Sequence, residues 1–153
     1  MEIRLAVLSD IEQVCQLYHE FWQYNAQRQP EYCSVATESG EYPKSIIESE
    51  HADIFVADTD GALVGLINVR ESKTLPYDAI VQHRYAEVIE LHVKSECRRQ
   101  GIGSKLIDAA KQWSKARNLD YIELISLVNA EEANSFYDNE NFITVSHVRR
   151  YTL

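Results

Sequence analysis

One stretch constrains this chain more than any other: Val93-Lys94-Ser95-Glu96-Cys97-Arg98-Arg99-Gln100-Gly101-Ile102-Gly103-Ser104-Lys105. Before it, Tyr85 to Lys94 is rich in β-branched and aliphatic residues and reads as a strand. After it, Ile102, Leu106, Ala110 and Trp113 fall on one side of a helix from Gly101 to Arg117, with Ile107 adjacent and Asn118 as the stop. A strand therefore feeds a helix through a loop with two glycines at the helix opening. The first turn of a helix has N–H groups without intrahelical acceptors, and its dipole favours an anion there. A glycine at that place lacks Cβ, so a diphosphate can approach the backbone closely. Lys94, Arg98, Arg99 and Lys105 oppose only Glu96 in this loop, whereas the whole chain carries a formal charge of −9. That local reversal fits a phosphate site; a glycine turn with solvated basic side chains is the plainer reading. Gly-Lys-Ser/Thr is missing, so the loop is not a Walker A motif, and Leu106 stands where GxGxxG needs its third glycine.

The rest of the chain supplies alternating elements. Glu2 to Ala6 alternates like a short strand, and Ser9-Asp10-Ile11-Glu12 has the form of a capping box with Ser9 as N-cap. Ile11, Val14, Cys15, Tyr18, Phe21 and Trp22 then recur at helical spacing. From Tyr24 to Tyr42 the pattern is lost, and Pro43 can open a short helix to about Glu50. Ile54–Ala57 and Ala62–Val69 flank Thr59-Asp60-Gly61, a hairpin signal. Tyr121 to Leu127 reads as a strand, Asn129 can cap a helix to about Asp138 with Glu132 in the capping-box position, and Phe142 to Thr152 alternates loosely as a closing strand. The order β-α-α-β-β-β-α-β-α-β is mixed α/β, a sheet flanked by helices.

At 153 residues, with 45% hydrophobic and 25% charged residues, the chain can bury one substantial core, and it reads as one domain over residues 1–153. An acidic chain repels phosphate polymers and anionic lipid, so neither nucleic acid nor membrane is expected as a partner. Cys15, Cys33 and Cys97 show no CxxC spacing and read as reduced thiols of a cytoplasmic protein. The five histidines have neither i,i+4 pairing nor cysteine company, so no metal is expected.

Arg98-Arg99-Gln100-Gly101-Ile102-Gly103 matches R/Q-x-x-G-x-G/A, the signature of the GNAT superfamily of acyl-CoA-dependent N-acetyltransferases. The strand Ala86–Val93 resembles the family's fourth strand. Asn129, Ala133 and Asn134, then Phe136-Tyr137 and Asn141-Phe142, resemble its N…A…FY…GF segment. Asn141 replaces the usual glycine, and asparagine tolerates the left-handed turn better than other residues with side chains. The resemblance spans the whole element order. It implies a central, mostly antiparallel sheet splayed between strands 4 and 5, with helices on both faces, and acetyl-CoA as cosubstrate.

By that resemblance, backbone N–H groups from Arg98 to Ser104, through Arg99, Gln100, Gly101, Ile102 and Gly103, hold the diphosphate. The side chains of Arg98 and Arg99 are candidates for phosphates or point to solvent. The pantetheine arm lies between Leu91–Val93 and Tyr121–Leu127, beside Leu91, His92 and Val93, and the Val93 N–H polarises the thioester carbonyl. Asn129 and Asn134 are candidate coenzyme contacts, Asn129 equally a plain helix cap. Tyr137 is the expected donor to the departing sulfur; the alternative is that it only packs its helix.

Attack requires a neutral amine, and a lysine-like amine of pKa about 10.4 must first lose a proton. Glu90 is the first candidate for amine binding or proton removal and Glu87 the next, each equally readable as a plain surface carboxylate. A regular strand turns these two to opposite sides, which a bulge of the kind the family carries would change. His92, adjoining the acetyl position, is a secondary candidate.

The acceptor region of this fold takes in the first two helices. Here it holds Tyr18, Phe21, Trp22, Tyr24, Tyr32 and Tyr42, with Phe21 and Trp22 also readable as core. Glu38 to Asp60 carries seven acids against Lys44. Aromatic faces near carboxylates suit an organic cation such as a polyamine or an aminoglycoside-like amine. A protein amine as acceptor, a non-catalytic acyl-CoA sensor, and a homodimer all remain open.

Overall fold

The computed structural model describes residues 1–36 and 39–153; Glu38, first of the acidic run, lies outside the described residues. The elements are β1 (Glu2–Leu5), α1 (Ile11–Arg28), α2 (Glu41–Ile47), β2 (Ala52–Thr59), β3 (Ala62–Lys73), β4 (Arg84–Val93), α3 (Ile102–Ala116), β5 (Ile122–Leu124) and α4 (Glu131–Asn139). The strands form one sheet in the order β1-β2-β3-β4-β5. The first four run antiparallel, joined between β2 and β3 at the Asp60-Gly61 turn, and β5 runs parallel to β4.

Alternation along β2–β4 sends side chains to both faces, and each face is covered by helices. On one side Ile67, Val69, Ala86 and Val88 pack with Ile102, Leu106, Ile107, Ala110 and Trp113 of α3, where Phe136 and Tyr137 of α4 also dock. On the other, Ile54, Val56, Leu63 and Leu66 pack with Val14, Leu17 and Tyr18 of α1 and Ile46 of α2. This is the mixed α/β architecture with helices on both faces expected from the sequence. Among the described residues no helix is long and apolar enough to cross a membrane.

Local details differ from the sequence reading where tertiary partners outcompete local ones. The Ser9–Glu12 capping box does not form. Instead Asp10, 7% exposed, accepts from the Val7 N–H at 2.9 Å and pairs with Arg4 at 2.7 Å. Both contacts, with the Arg4 hydrogen bonds first, hold its carboxyl below the usual aspartate range. Helix α1 runs on through Tyr24 to Arg28, past the point where its apolar stripe ends. Asn129 does not cap α4, whose N-cap is Ala130; its amide donates to the Arg28 carbonyl at 3.1 Å, joining the β5–α4 loop to the end of α1. Asn141 does adopt the left-handed turn, at φ 65°. The closing strand read over Phe142–Thr152 is absent: residues 143–153 have no regular structure and all are exposed. Alternation alone does not make a strand, and this segment pairs with neither edge of the sheet.

Candidate active site

Strands β4 and β5 pair only over Ala86–Val88 and Ile122–Leu124. The stacked rings of Tyr85 and Tyr121, 4.9 Å apart, clamp that end. Beyond it the two strands part. Lys94 donates its N–H to the Val64 carbonyl of β3 at 2.9 Å. Antiparallel alternation therefore turns the peptide groups of Leu91 and Val93 away from β3, toward the gap. The gap is the wall of a cavity of about 550 Å³. Leu91, His92 and Val93 line it on one side, Ile125, Ser126 and Leu127 on the other, and Gly101, Ile102, Gly103 and Ser104 close one end.

The loop reaches that end by a left-handed path, with Arg99 at φ 62° and Gly101, the N-cap of α3, at φ 76°. Gly101 is required by this conformation; a Cβ there would meet nothing within 4 Å. At Gly103 a Cβ would lie 3.1 Å from the Phe136 ring, a tight contact that favours a small residue there. The turn leaves the first-turn N–H groups of α3 at the cavity. Arg99 is exposed and lines it. Arg98 lines it too: its Nε donates to the Val93 carbonyl at 3.0 Å, fastening the loop to the end of β4, and its guanidinium lies 3.7 Å from Glu132.

A bulge shapes the opposite face of β4. Between Asn68↔Glu90 and Val69↔Val88 the register with β3 slips by one residue at Ile89. Glu87 and Glu90 consequently face the same side, that of α1 and α2, along with His92. Glu87 is bound by Arg70 at 2.8 Å and Ser72 at 3.0 Å. Glu90 is 5% exposed and accepts from Asn68 at 2.7 Å and Tyr42 at 3.0 Å. Burial pushes its carboxyl up, with the Asn68 and Tyr42 hydrogen bonds opposing. Neither glutamate lines the cavity, whereas His92 does. Its Nε2 lies 3.0 Å from Glu20 of α1. Burial holds the imidazole below its ordinary value, against the opposing pull of Glu20 and with Arg98 and Lys94 adding to the shift.

Tyr137 lines the cavity with Phe21 and Tyr24 of α1. Its pKa is pushed up to about 12, by burial first and by Tyr24 second. Phe21, also readable as core, belongs to the cavity wall, while Trp22 packs on the core as expected. Asn134 holds the wall from behind, donating to the Leu127 carbonyl at 3.0 Å and accepting from Ser126 at 2.6 Å. Gln100 is exposed, and its amide lies 3.4 Å from the Glu96 carbonyl. Gln100, Asn129 and Asn134, like both glutamates, stand outside the cavity lining. The acidic run also serves other ends. Asp53 accepts from Trp113 at 2.6 Å and Arg117 at 3.2 Å, and Asp58 pairs with Arg4 at 2.8 Å. Glu20 is the participant that sequence reasoning missed, because nothing in a half-exposed helical glutamate announces a partner 72 residues away.

Residues 11–142 match the acetyltransferase (GNAT) family model, and the chain belongs to that family. A rat relative, N-acetyltransferase family 8 member 3, is 24% identical over 106 residues, 69% of this chain. The chain spans 45% of that relative's length. Among solved structures, the tetramutant of BH1408 protein from Bacillus halodurans superposes with a TM-score of 0.93 at 20% identity, covering 100% of both chains. The aminoglycoside N-acetyltransferase AAC(6')-Iy in complex with CoA gives a TM-score of 0.79 at 15% identity, over 99% of this chain and 93% of that one.

Proposed function

We propose that this chain transfers the acetyl group of acetyl-CoA to a small primary amine, with residues 1–153 acting as one catalytic domain. The observation that carries this reading is the cavity itself, which joins unpaired strand amides, a helix N-terminus, a tyrosine hydroxyl and an imidazole in one space. These groups fit the coenzyme: the N–H groups of Ile102, Gly103 and Ser104 suit its diphosphate, and the peptide groups of Leu91 and Val93 suit an extended amide-bearing arm. When bound, acetyl-CoA supplies an acyl carbon activated as a thioester.

The residues of this chain divide the remaining work. The Val93 N–H, turned toward the gap, would stabilise the charge that develops on the thioester carbonyl oxygen. His92, neutral at pH 7 because burial lowers its pKa, accepts the proton that the incoming ammonium must lose. Glu20, at 3.0 Å from its Nε2, is a positioning residue that fixes the ring. Glu90, first choice on sequence grounds, is a buried carboxylate held by Asn68 and Tyr42 on the strand face it shares with His92; Glu87 is tied up by Arg70. The Tyr137 O–H donates to sulfur as it departs.

Phe21 and Tyr24 bring aromatic rings to the cavity, with Glu132 as the cavity's own carboxylate. The Tyr24 face carries the Arg28 guanidinium at 3.5 Å, so the Phe21 ring is the aromatic face open to an acceptor. A cationic amine is in keeping with the fold shared with AAC(6')-Iy. The thiols of Cys33 and Cys97 suit a reducing cytoplasm.

The test is release of free thiol from acetyl-CoA across a panel of polyamines, aminoglycosides and lysine-containing peptides. Turnover with a polyamine or aminoglycoside supports the reading. Turnover confined to peptides overturns the small-amine acceptor, and thermal stabilisation by acetyl-CoA without turnover on any amine identifies a sensor instead.

A further inference from the structure

One buried carboxylate takes no part in this chemistry. Glu90 is 5% exposed, and the groups that hold it are neutral donors. Tyr42 donates to its Oε1 at 3.0 Å and the Asn68 amide to its Oε2 at 2.7 Å, with the Tyr18 hydroxyl also acting on it. Among the described residues no lysine, arginine or histidine forms an ion pair with it. Arg70, the cation that acts on it through space, is bound to Glu87 at 2.8 Å. A carboxylate taken out of water ordinarily has a cationic partner.

Asn68 supplies a second, independent observation. It is 2% exposed, and its Nδ2 donates to Glu90 and lies 3.2 Å from the Tyr42 hydroxyl, which fixes the way the amide faces. Its Oδ1 is buried with no hydrogen-bond partner among the described residues. Leaving a buried acceptor unpaired is costly. A charged and a neutral acceptor thus stand together beside the rings of Tyr18 and Tyr42, whose centroids are 5.5 Å apart. An alkylammonium carries three donors, no acceptor and one positive charge, and aromatic rings attract it. It satisfies both acceptors and offsets the charge; a neutral hydroxyl does only the first.

We propose that this chamber takes the second ammonium of a diamine acceptor, the first nitrogen being the one that attacks the thioester. The inference rests on the acetyl-transfer reading above and narrows its acceptor. Glu90 and His92 stand two residues apart on one face of β4. At roughly 3.3 Å per residue they are about 7 Å apart, the span of an extended diamine with about four or five carbons. One nitrogen then lies at the imidazole and the other at the carboxylate. The ammonium takes the place of the Tyr42 hydroxyl on Oε1 and donates to Asn68 Oδ1. Tyr42, half-buried on the seven-residue helix α2, is the side chain that moves aside.

The test is kcat/KM, read by thiol release from acetyl-CoA, for straight-chain α,ω-diamines of increasing length and for monoamines of matching length. The wild type should peak at about four or five carbons. There it should favour the diamine over the matching monoamine by about 10-fold or more, the worth of a hydrogen bond to a charged group. Glu90→Gln should bring that ratio close to one, mainly through a higher KM for the diamine. Equal values for diamine and monoamine, or a flat length series, overturn the second-ammonium site while acetyl transfer stands. Turnover of no amine at all fails the transfer reading and this inference with it. A diamine preference that survives Glu90→Gln overturns the assignment to this carboxylate. If that variant does not fold, the wild-type length series decides.

Discussion

The Tyr137 hydroxyl shows how a single group's surroundings choose between two chemical roles. With its pKa raised to about 12 by burial, it stays protonated at any working pH. A thiol near 8.5 is the stronger acid, so full transfer of the phenolic proton to sulfur runs roughly 5 kcal/mol uphill. Hydrogen-bond donation to the developing thiolate is therefore the role we propose for it. Tyr137→Phe should therefore lower turnover about 10-fold or more with acetyl-CoA affinity nearly intact, since acid–base assistance is typically worth about 10²–10⁴-fold. Single-turnover kinetics alongside calorimetry measures both, and unchanged chemistry would remove the hydroxyl from the mechanism. Tyr137 was legible because Phe136-Tyr137 and Asn141-Phe142 carry a local signature. Glu20 was not, because its meaning arises only when α1 crosses β4. Glu90 was legible as a carboxylate near the right place, but not as one sealed beneath Tyr42 and Asn68.

At the scale of elements, the β4 bulge decides which of its side chains face α1 and α2. A regular strand would part Glu87 from Glu90; the slip at Ile89 places both with His92 on the side of α1 and α2. The His92–Glu20 contact then links β4 to α1 across that face. The groups acting on the imidazole are Glu20, which raises its pKa, and Arg98 and Lys94, which lower it together with burial. A base with a depressed pKa works above that pKa and fails as pH falls through it, so the acid limb of kcat/KM should lie below about 6.5. Glu20→Gln removes the raising influence and should move the limb to still lower pH while lowering kcat. A limb that stays in place would show that Glu20 does not act through His92. The major strands and helices were readable from hydrophobic period alone. The Ser9 and Asn129 caps and the Phe142–Thr152 strand were not, because Arg4, the α1 C-terminus and the missing strand partner are tertiary facts.

Across the whole molecule, the proposed coenzyme site sets backbone N–H groups, rather than net charge, against an anion in a chain of charge −9. The sheet opens between β4 and β5, α3 points its N-terminus at the opening, and α4 brings Tyr137 to the same space. That convergence was legible from the order of elements and the loop between Val93 and Lys105. The acceptor was less so, because Asp53 and Asp58, which looked available, are bound to Trp113, Arg117 and Arg4. The most direct measurement is an amide-resolved NMR titration of the protein with coenzyme A. The largest shifts should fall on the amides of Gly101–Ser104 and on Leu91 and Val93, along the two walls of the cavity. Binding that leaves those amides unmoved and perturbs another surface would contradict the account.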